Sequence, residues 1–197
     1  MKTSTQVASE LVSHYETLNG PGVSRRSFLA IAPGLAAGTS WAQVTAGASP
    51  ASVEAAAPSM PPIGASLRLP AVQLFDGTIF QPPTADGHLL VVYWWASTCP
   101  FCAQQSPEMQ KLWLAYKDRD LQMLTLSIDR TPQEGVAYLQ KKGYTFPAGF
   151  VTPEVQRVMP KPRGLPITLV RGRDGRVLQA EKGQMFPEDI EQLARWL

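Results

Sequence analysis

His88-Leu89-Leu90-Val91-Val92-Tyr93-Trp94-Trp95-Ala96-Ser97-Thr98-Cys99-Pro100-Phe101-Cys102 is the stretch that decides the fold. Its first half, His88 to Trp95, is a nearly continuous apolar run, as a strand buried on both faces of a sheet should be. Its second half contains Pro100, a residue suited to the first turn of a helix. Beyond it Met109, Leu112, Trp113 and Tyr116 recur at offsets of three and four, the period of an amphipathic helix. Cys99 and Cys102 therefore stand at a strand-to-helix junction.

These are the chain's two cysteines, and two residues separate them. A bridge closing so short a loop stabilises little in the chain-entropy model, which favours chemistry over stapling. A Cys at a helix N-terminus faces unpaired N–H groups and the positive end of the helix dipole. Both favour thiolate over thiol, so the Cys99 pKa should fall below the free value of about 8.5. Cys102, one turn further in, should be more buried. Cys99 is then the residue that attacks a disulfide, and Cys102 the one that resolves the mixed disulfide.

Other readings of the pair fit less well. Zinc wants four ligands, and only His14 and His88 accompany the cysteines. A copper site of the Cys-x-x-x-Cys kind has the wrong spacing, and a peroxiredoxin-type peroxidase would want Thr or Ser where Ala96 stands. No metal and no cofactor is called for. His88 reads as an ordinary strand-edge residue, and Trp94 and Trp95 as core and site-wall residues.

Working outward, Val72 to Phe75 and Thr78 to Phe80 flank Asp76-Gly77, the signature of a tight hairpin. Leu121 to Ile128 is a second apolar strand. Thr131, Pro132 and Glu134 give an N-cap, a first-turn proline and a capping box, and Gly143 gives the stop. Ile167–Val170 and Val177–Gln179 read as strands joined by a turn at Arg173-Asp174-Gly175. A last helix from about Pro187 carries Ile190, Leu193, Ala194 and Leu197 inward. The order β-β, β-α-β-α, β-β-α makes the protein α/β, with a mixed central sheet flanked by helices and an added N-terminal hairpin.

At 197 residues the chain holds one domain and a tail. With 44% hydrophobic and 17% charged residues it can pack a core, and a net charge of +2 argues against a nucleic-acid partner. Basic residues thicken between Arg157 and Arg176 (Arg157, Lys161, Arg163, Arg171, Arg173, Arg176), which reads as a solvated loop and hairpin, with a docking surface for an acidic partner as the alternative.

Ser24-Arg25-Arg26-Ser27-Phe28-Leu29 resembles the twin-arginine export signal of bacteria. A weakly apolar Ala/Gly/Leu stretch follows to Ala48. Pro33 and Gly34 interrupt it, making it a poor permanent membrane span. Ser40-Trp41-Ala42 and Ala46-Gly47-Ala48 both suit signal peptidase. Residues 1–48 are thus read as a signal segment, 49–62 as an Ala/Pro-rich solvated linker and 63–197 as the folded domain. The expected location is the periplasm, with an uncleaved anchor as the alternative.

The domain resembles the thioredoxin-like superfamily and is similar to exported TlpA-type thiol–disulfide oxidoreductases, over roughly residues 63–197. The resemblance rests on Trp95-Ala96 before the Cys-x-x-Cys, on Pro107, and on Gly164-Leu165-Pro166-Ile167-Thr168 before a late strand. It implies a thioredoxin fold, Cys99 and Cys102 as the catalytic pair, and Pro166 as a cis-proline beside it. It further implies that Leu165 faces substrate; the expected substrate surface is Trp95, Pro100, Phe101, Leu165 and Pro166. Two departures stand out. The family's usual Glu is Gln105 here, and the buried Asp of thioredoxins is Tyr93, so the identity of the proton acceptor is open; Glu108 is the nearest acid in sequence.

Pro100 and Phe101 supply neither charge nor imidazole, which favours reduction over oxidation. The expected function is reduction of disulfides in exported proteins, sustained by a membrane thiol electron donor because the periplasm is oxidising. Two alternatives stay open. One is an oxidase or isomerase on the same fold, and the other a non-enzymatic chaperone that holds partners through its thiols.

Overall fold

The computed structural model describes residues 56–197. Residues 1–48, read above as an export signal with its twin arginines and expected cleavage sites, and the first part of the expected linker lie outside the described residues. Five strands form the main sheet, in the order β5-β4-β3-β6-β7. They are β3 (Leu89–Trp95), β4 (Leu121–Ser127), β5 (Ala148–Phe150), β6 (Ile167–Arg171) and β7 (Val177–Lys182). A separate hairpin of β1 (Val72–Gln73) and β2 (Ile79–Phe80) precedes them.

The helices are α1 (Pro100–Tyr116), α2 (Pro132–Lys142), α3 (Pro153–Val158) and α4 (Pro187–Glu191), the last continuing as a 3-10 turn, Gln192–Trp196. A further 3-10 turn, Pro82–Ala85, leads into β3. β3 runs parallel to β4, and β4 to β5, joined through α1 and α2; β6 and β7 return antiparallel. Half of the sheet pairings are therefore antiparallel.

β3 is the centre of the domain. All seven of its residues are wholly buried, with alternate side chains serving opposite faces. Leu89, Val91, Tyr93 and Trp95 meet Cys102, Met109 and Leu112 of α1, Leu139 of α2, and Ile190 and Leu193 at the C-terminus. Leu90, Val92 and Trp94 meet Val72, Leu74 and Phe80 of the hairpin region, and Val155 and Met159 at α3. Burying such a strand on both faces removes several large side chains from water, each contributing about 1.5–3 kcal/mol.

α2 has the ends its sequence encodes. Glu134 reaches back to the N–H groups of Arg130 (2.9 Å) and Thr131 (3.4 Å), and Gly143 ends the helix in the left-handed region at φ 69°. Two elements escape the sequence reading. β5 is three residues long, and α3 is six. β5 carries Gly149 because the hairpin crosses it closely. A Cβ there would lie 2.5 Å from Val72 Cγ1 and 2.8 Å from the Gln73 carbonyl oxygen.

The basic run from Arg157 to Arg176 is not uniformly solvated. Lys161 is buried and its Nζ donates to the carbonyls of Pro162 (2.7 Å) and Gly164 (3.1 Å). Arg171 is also buried, donating to the Ala85 carbonyl and to Asp86 Oδ1, each at 2.9 Å. The linker is likewise not solvated to its end. The Pro58 carbonyl accepts from the Arg163 N–H, and Met60 packs on the hairpin-side core. Among the described residues, no helix is long and apolar enough to cross a membrane.

Candidate active site

The chain leaves β3 at Trp95, turns through Ala96–Thr98 and enters α1 at Cys99. That turn is fixed from both ends. The Cys99 N–H donates to the Ala96 carbonyl (3.1 Å), and the Trp95 carbonyl accepts from the Ile128 N–H (2.9 Å). Cys99 is the N-cap of α1, in extended conformation, and its Sγ accepts from the Cys102 N–H at 3.1 Å. A sulfur so placed meets the unpaired donors and positive end of a 17-residue helix.

Cys99 and Cys102 are joined as a disulfide, their Cα atoms 5.2 Å apart. Cys99 is half-buried, whereas Cys102 is wholly buried. An approaching sulfur therefore meets Cys99 first, and Cys102 is shielded behind it. Pro100 is exposed and Phe101 is 55% exposed, giving the disulfide an apolar rim.

The second arm of the site comes from β6. The Leu165–Pro166 peptide is cis. Because β6 runs antiparallel to β3, with Ile167 opposite Trp94, its beginning lies at the sheet end where the redox turn begins. Leu165 is half-buried and packs against both halves of the core, and the buried Pro166 accepts from the Gly183 N–H through its carbonyl (2.8 Å).

Trp95 needs correction as a substrate-contacting residue. It is wholly buried, its indole N–H donates to Thr125 Oγ1 (3.2 Å), and its ring rests 5.3 Å from that of Tyr138. It supports the turn from behind, and its side chain has no surface to offer a substrate.

Beneath the cysteines, Gln105 is buried and uses both ends of its amide. Nε2 donates to Thr168 Oγ1 and Oε1 accepts from the Met185 N–H, each at 2.9 Å. Tyr93 is wholly buried, its hydroxyl near the Cys102 carbonyl (3.3 Å) and Ser106 Oγ (3.1 Å). Burial, above all, holds the Tyr93 phenol far above its ordinary range. Neither an amide nor such a phenol accepts a proton near neutral pH. Glu108 is engaged elsewhere, receiving Lys111 Nζ at 2.8 Å.

One polar group at the site carried no signal in the sequence. Asp129, just past β4, is buried, and its Oδ1 accepts from both the N–H (2.8 Å) and the hydroxyl (2.7 Å) of Ser97. Its Oδ2 accepts from Ser127 Oγ (2.7 Å). No spacing rule links positions 97 and 129; the pairing of β3 with β4 brings them together. His88 lies at the far end of β3, paired with Asp120. No group of His, Cys, Asp and Glu among the described residues is arranged to hold a metal ion.

Comparisons with known proteins agree with this geometry. The AhpC/TSA family model matches residues 66–150. The thiol-disulfide oxidoreductase ResA of Bacillus thuringiensis subsp. konkukian is 25% identical over 121 residues, 59% of this chain and 68% of that protein. ResA of Halalkalibacterium halodurans is 21% identical over 121 residues, 59% of this chain and 66% of that protein. A thiol:disulfide interchange protein of the thioredoxin family from Chlorobium tepidum superposes with a TM-score of 0.62 at 18% identity. The match covers 68% of this chain and 97% of that one. StoA from Bacillus subtilis gives 0.56 at 17% identity, over 68% and 99%. The domain has the thioredoxin fold, with the antiparallel hairpin β1–β2 added at its N-terminal side.

Proposed function

We propose that this chain is an exported, TlpA-type thiol–disulfide oxidoreductase that reduces disulfides of periplasmic proteins. The observation that carries the reading is the disulfide between a half-exposed Cys99 capping α1 and a wholly buried Cys102. The names of the ResA relatives support the activity.

In the reduced protein the Cys99 thiolate attacks one sulfur of a substrate disulfide. A new S–S bond to Cys99 forms, the substrate S–S bond breaks, and the departing thiolate takes a proton. Cys102, as its thiolate, then attacks Cys99 Sγ and releases the second substrate thiolate, which is protonated in turn. Two electrons pass from the Cys99–Cys102 dithiol to the substrate, leaving the disulfide of this structure. A membrane-borne dithiol returns the two electrons by the reverse exchange. Pro100, Phe101 and Leu165 offer apolar contact to the polypeptide flanking the substrate disulfide.

The direction rests on how little stabilises the thiolate beyond the helix end, since Pro100 and Phe101 bring no charge. Twin-arginine export in a bacterium and release to the periplasm follow from the reading of residues 24–48. The reduction potential, measured by equilibration with glutathione or dithiothreitol buffers, tests the direction. A value well below that of glutathione fits a reductase; a value near those of strong periplasmic oxidants overturns it. Secretion of a reporter fused to residues 1–62, and its loss on Arg25→Lys with Arg26→Lys, tests the route.

A further inference from the structure

The buried carboxylate of Asp129 has no part in the exchange chemistry above, yet it is bonded directly to the turn that presents Cys99. Its two oxygens accept three hydrogen bonds, two from Ser97 and one from Ser127, and the Asp129 N–H donates back to Ser127 Oγ (3.2 Å). This acceptor-only arrangement suits the ionised carboxylate. Asp129 forms no ion pair with any described residue.

The groups around it do not neutralise it. Arg130 is exposed, and its N–H is turned to Glu134. From α2 come Glu134, itself an anion, and Tyr138, whose ring lies on Trp95 and whose phenol is raised chiefly by burial and further by Asp129. From β4 comes the Ser127 hydroxyl. Ser97 is two residues before Cys99, so their Cα atoms lie within about 7 Å. The Asp129 carboxylate is thus one hydrogen bond from a residue two positions before Cys99, and in a buried setting a charge acts on a nearby thiolate more strongly than it would in water.

We propose that Asp129 is a positioning residue that also sets the redox balance of the pair. It pins the Ala96–Thr98 turn through Ser97, and its charge disfavours the Cys99 thiolate. A less stable thiolate means a less stable reduced form, and a couple with a less stable reduced form is the stronger reductant. The helix end and Asp129 thus oppose one another at Cys99. This inference rests on the thiol–disulfide exchange proposed above, and supplies a reason for the reducing direction that Gln105 and Tyr93 do not.

The test is the potential of the Cys99–Cys102 couple in the purified chain between pH 5.5 and 9, with dithiothreitol as the redox buffer. Thiolate formation is followed in parallel by absorbance. Asp129→Asn keeps an oxygen for the Ser97 N–H and removes the charge. Its Cys99 pKa is expected about one unit lower than in the unchanged protein. Its equilibrium constant for reduction should exceed that of the unchanged protein by an amount that grows with pH. The gap closes at pH 5.5 and approaches tenfold, about 30 mV, above the thiol pKa.

Asp129→Ser, smaller and also uncharged, is expected to move the same way, while Ser97→Ala, which keeps the carboxylate, holds the pH curve within about twofold. Asn and Ser variants whose curves coincide with the unchanged protein, or differ by an offset independent of pH, overturn the proposal. Failure of the unchanged protein to exchange with dithiothreitol overturns the oxidoreductase reading instead.

Discussion

Gln105 Nε2 lies 2.9 Å from Thr168 Oγ1, a hydrogen bond that ties the helix opened by the cysteines to the strand opened by the cis-proline. The same side chain accepts from the Met185 N–H. One buried amide therefore holds the two arms of the site and the loop before α4 in register. A glutamate here would have to lose a donor or stay protonated.

Gln105→Ala strips two hydrogen bonds from buried partners and leaves the Met185 N–H without its acceptor. The expected loss is about 2–4 kcal/mol, measured by urea unfolding of the oxidised chain. Gln105→Glu tests the charge. Burial raises the new carboxyl in the folded state above its unfolded value of about 4.3. A folded protein that holds the proton more tightly loses stability as pH rises, so this variant should unfold more easily at pH 7 than at pH 4 relative to the parent.

Cys102→Ser should separate the two halves of the exchange. Cys99 remains half-exposed at the helix N-cap and can still attack, but nothing resolves the product. The expected outcome is accumulation of a mixed disulfide between the chain and its substrates, visible on non-reducing gels, with turnover of insulin disulfides lost. Cys99→Ser should give neither adduct nor turnover. Adducts of similar yield through Cys102 alone would contradict the exposure difference between the two sulfurs.

At the far end of β3, Asp120 is held below the usual carboxylate range, first by the Arg173 guanidinium (2.7 Å) and then by His88. A carboxyl depressed in the folded state contributes stability that is present above its unfolded pKa and lost as pH falls through the folded one. Arg173→Ala should return the Asp120 pKa toward its ordinary value, followed by NMR titration of the side chain. The group is exposed, so added salt should shrink the shift in the parent. A titration unchanged by both treatments would count against the ion pair.

Gly149→Ala places a Cβ against Val72 Cγ1 and the Gln73 carbonyl oxygen, a backbone atom that cannot swing away. The hairpin must move off β5 or the strand must bend. Overpacking of this kind costs about 1–3 kcal/mol. The midpoint of thermal unfolding should fall by several degrees, and an unchanged midpoint would show that the hairpin and β5 adjust without cost.

What could be read from the sequence was what short-range chemistry dictates. β3 was legible because seven consecutive residues are buried on both faces, and α2 because Thr131, Glu134 and Gly143 mark its ends. β5 was not, because three residues pairing with β4 and admitting the hairpin leave no period to detect. The cysteine pair announced itself by spacing and by its place at the strand-to-helix junction. Asp129 did not, since its meaning comes from a turn 32 residues earlier, brought beside it only when β3 pairs with β4. Gln105 could be seen as a departure, but its burial and its two partners belong to tertiary structure. Trp95 stands next to the redox turn in sequence, which suggests the substrate surface, but the depth of its side chain puts it underneath.

Lys161 offers a last test, of how Leu165, proposed above to contact substrate, is presented. Its buried ammonium donates to the Pro162 and Gly164 carbonyls, the second of them immediately before Leu165. Burying a long cation requires such partners, and here they hold the approach to the cis-peptide in one course. Lys161→Met keeps most of the packed volume and removes those bonds. Two outcomes should go together: a stability loss of about 1–3 kcal/mol, and a KM for protein disulfides raised several-fold. Reaction with dithiothreitol needs only the exposed edge of Cys99, so its rate should change little. If KM is unaffected while stability falls, Lys161 serves the fold alone and Leu165 is placed by its own packing; a rise in KM with the small-thiol rate intact makes the loop part of substrate recognition.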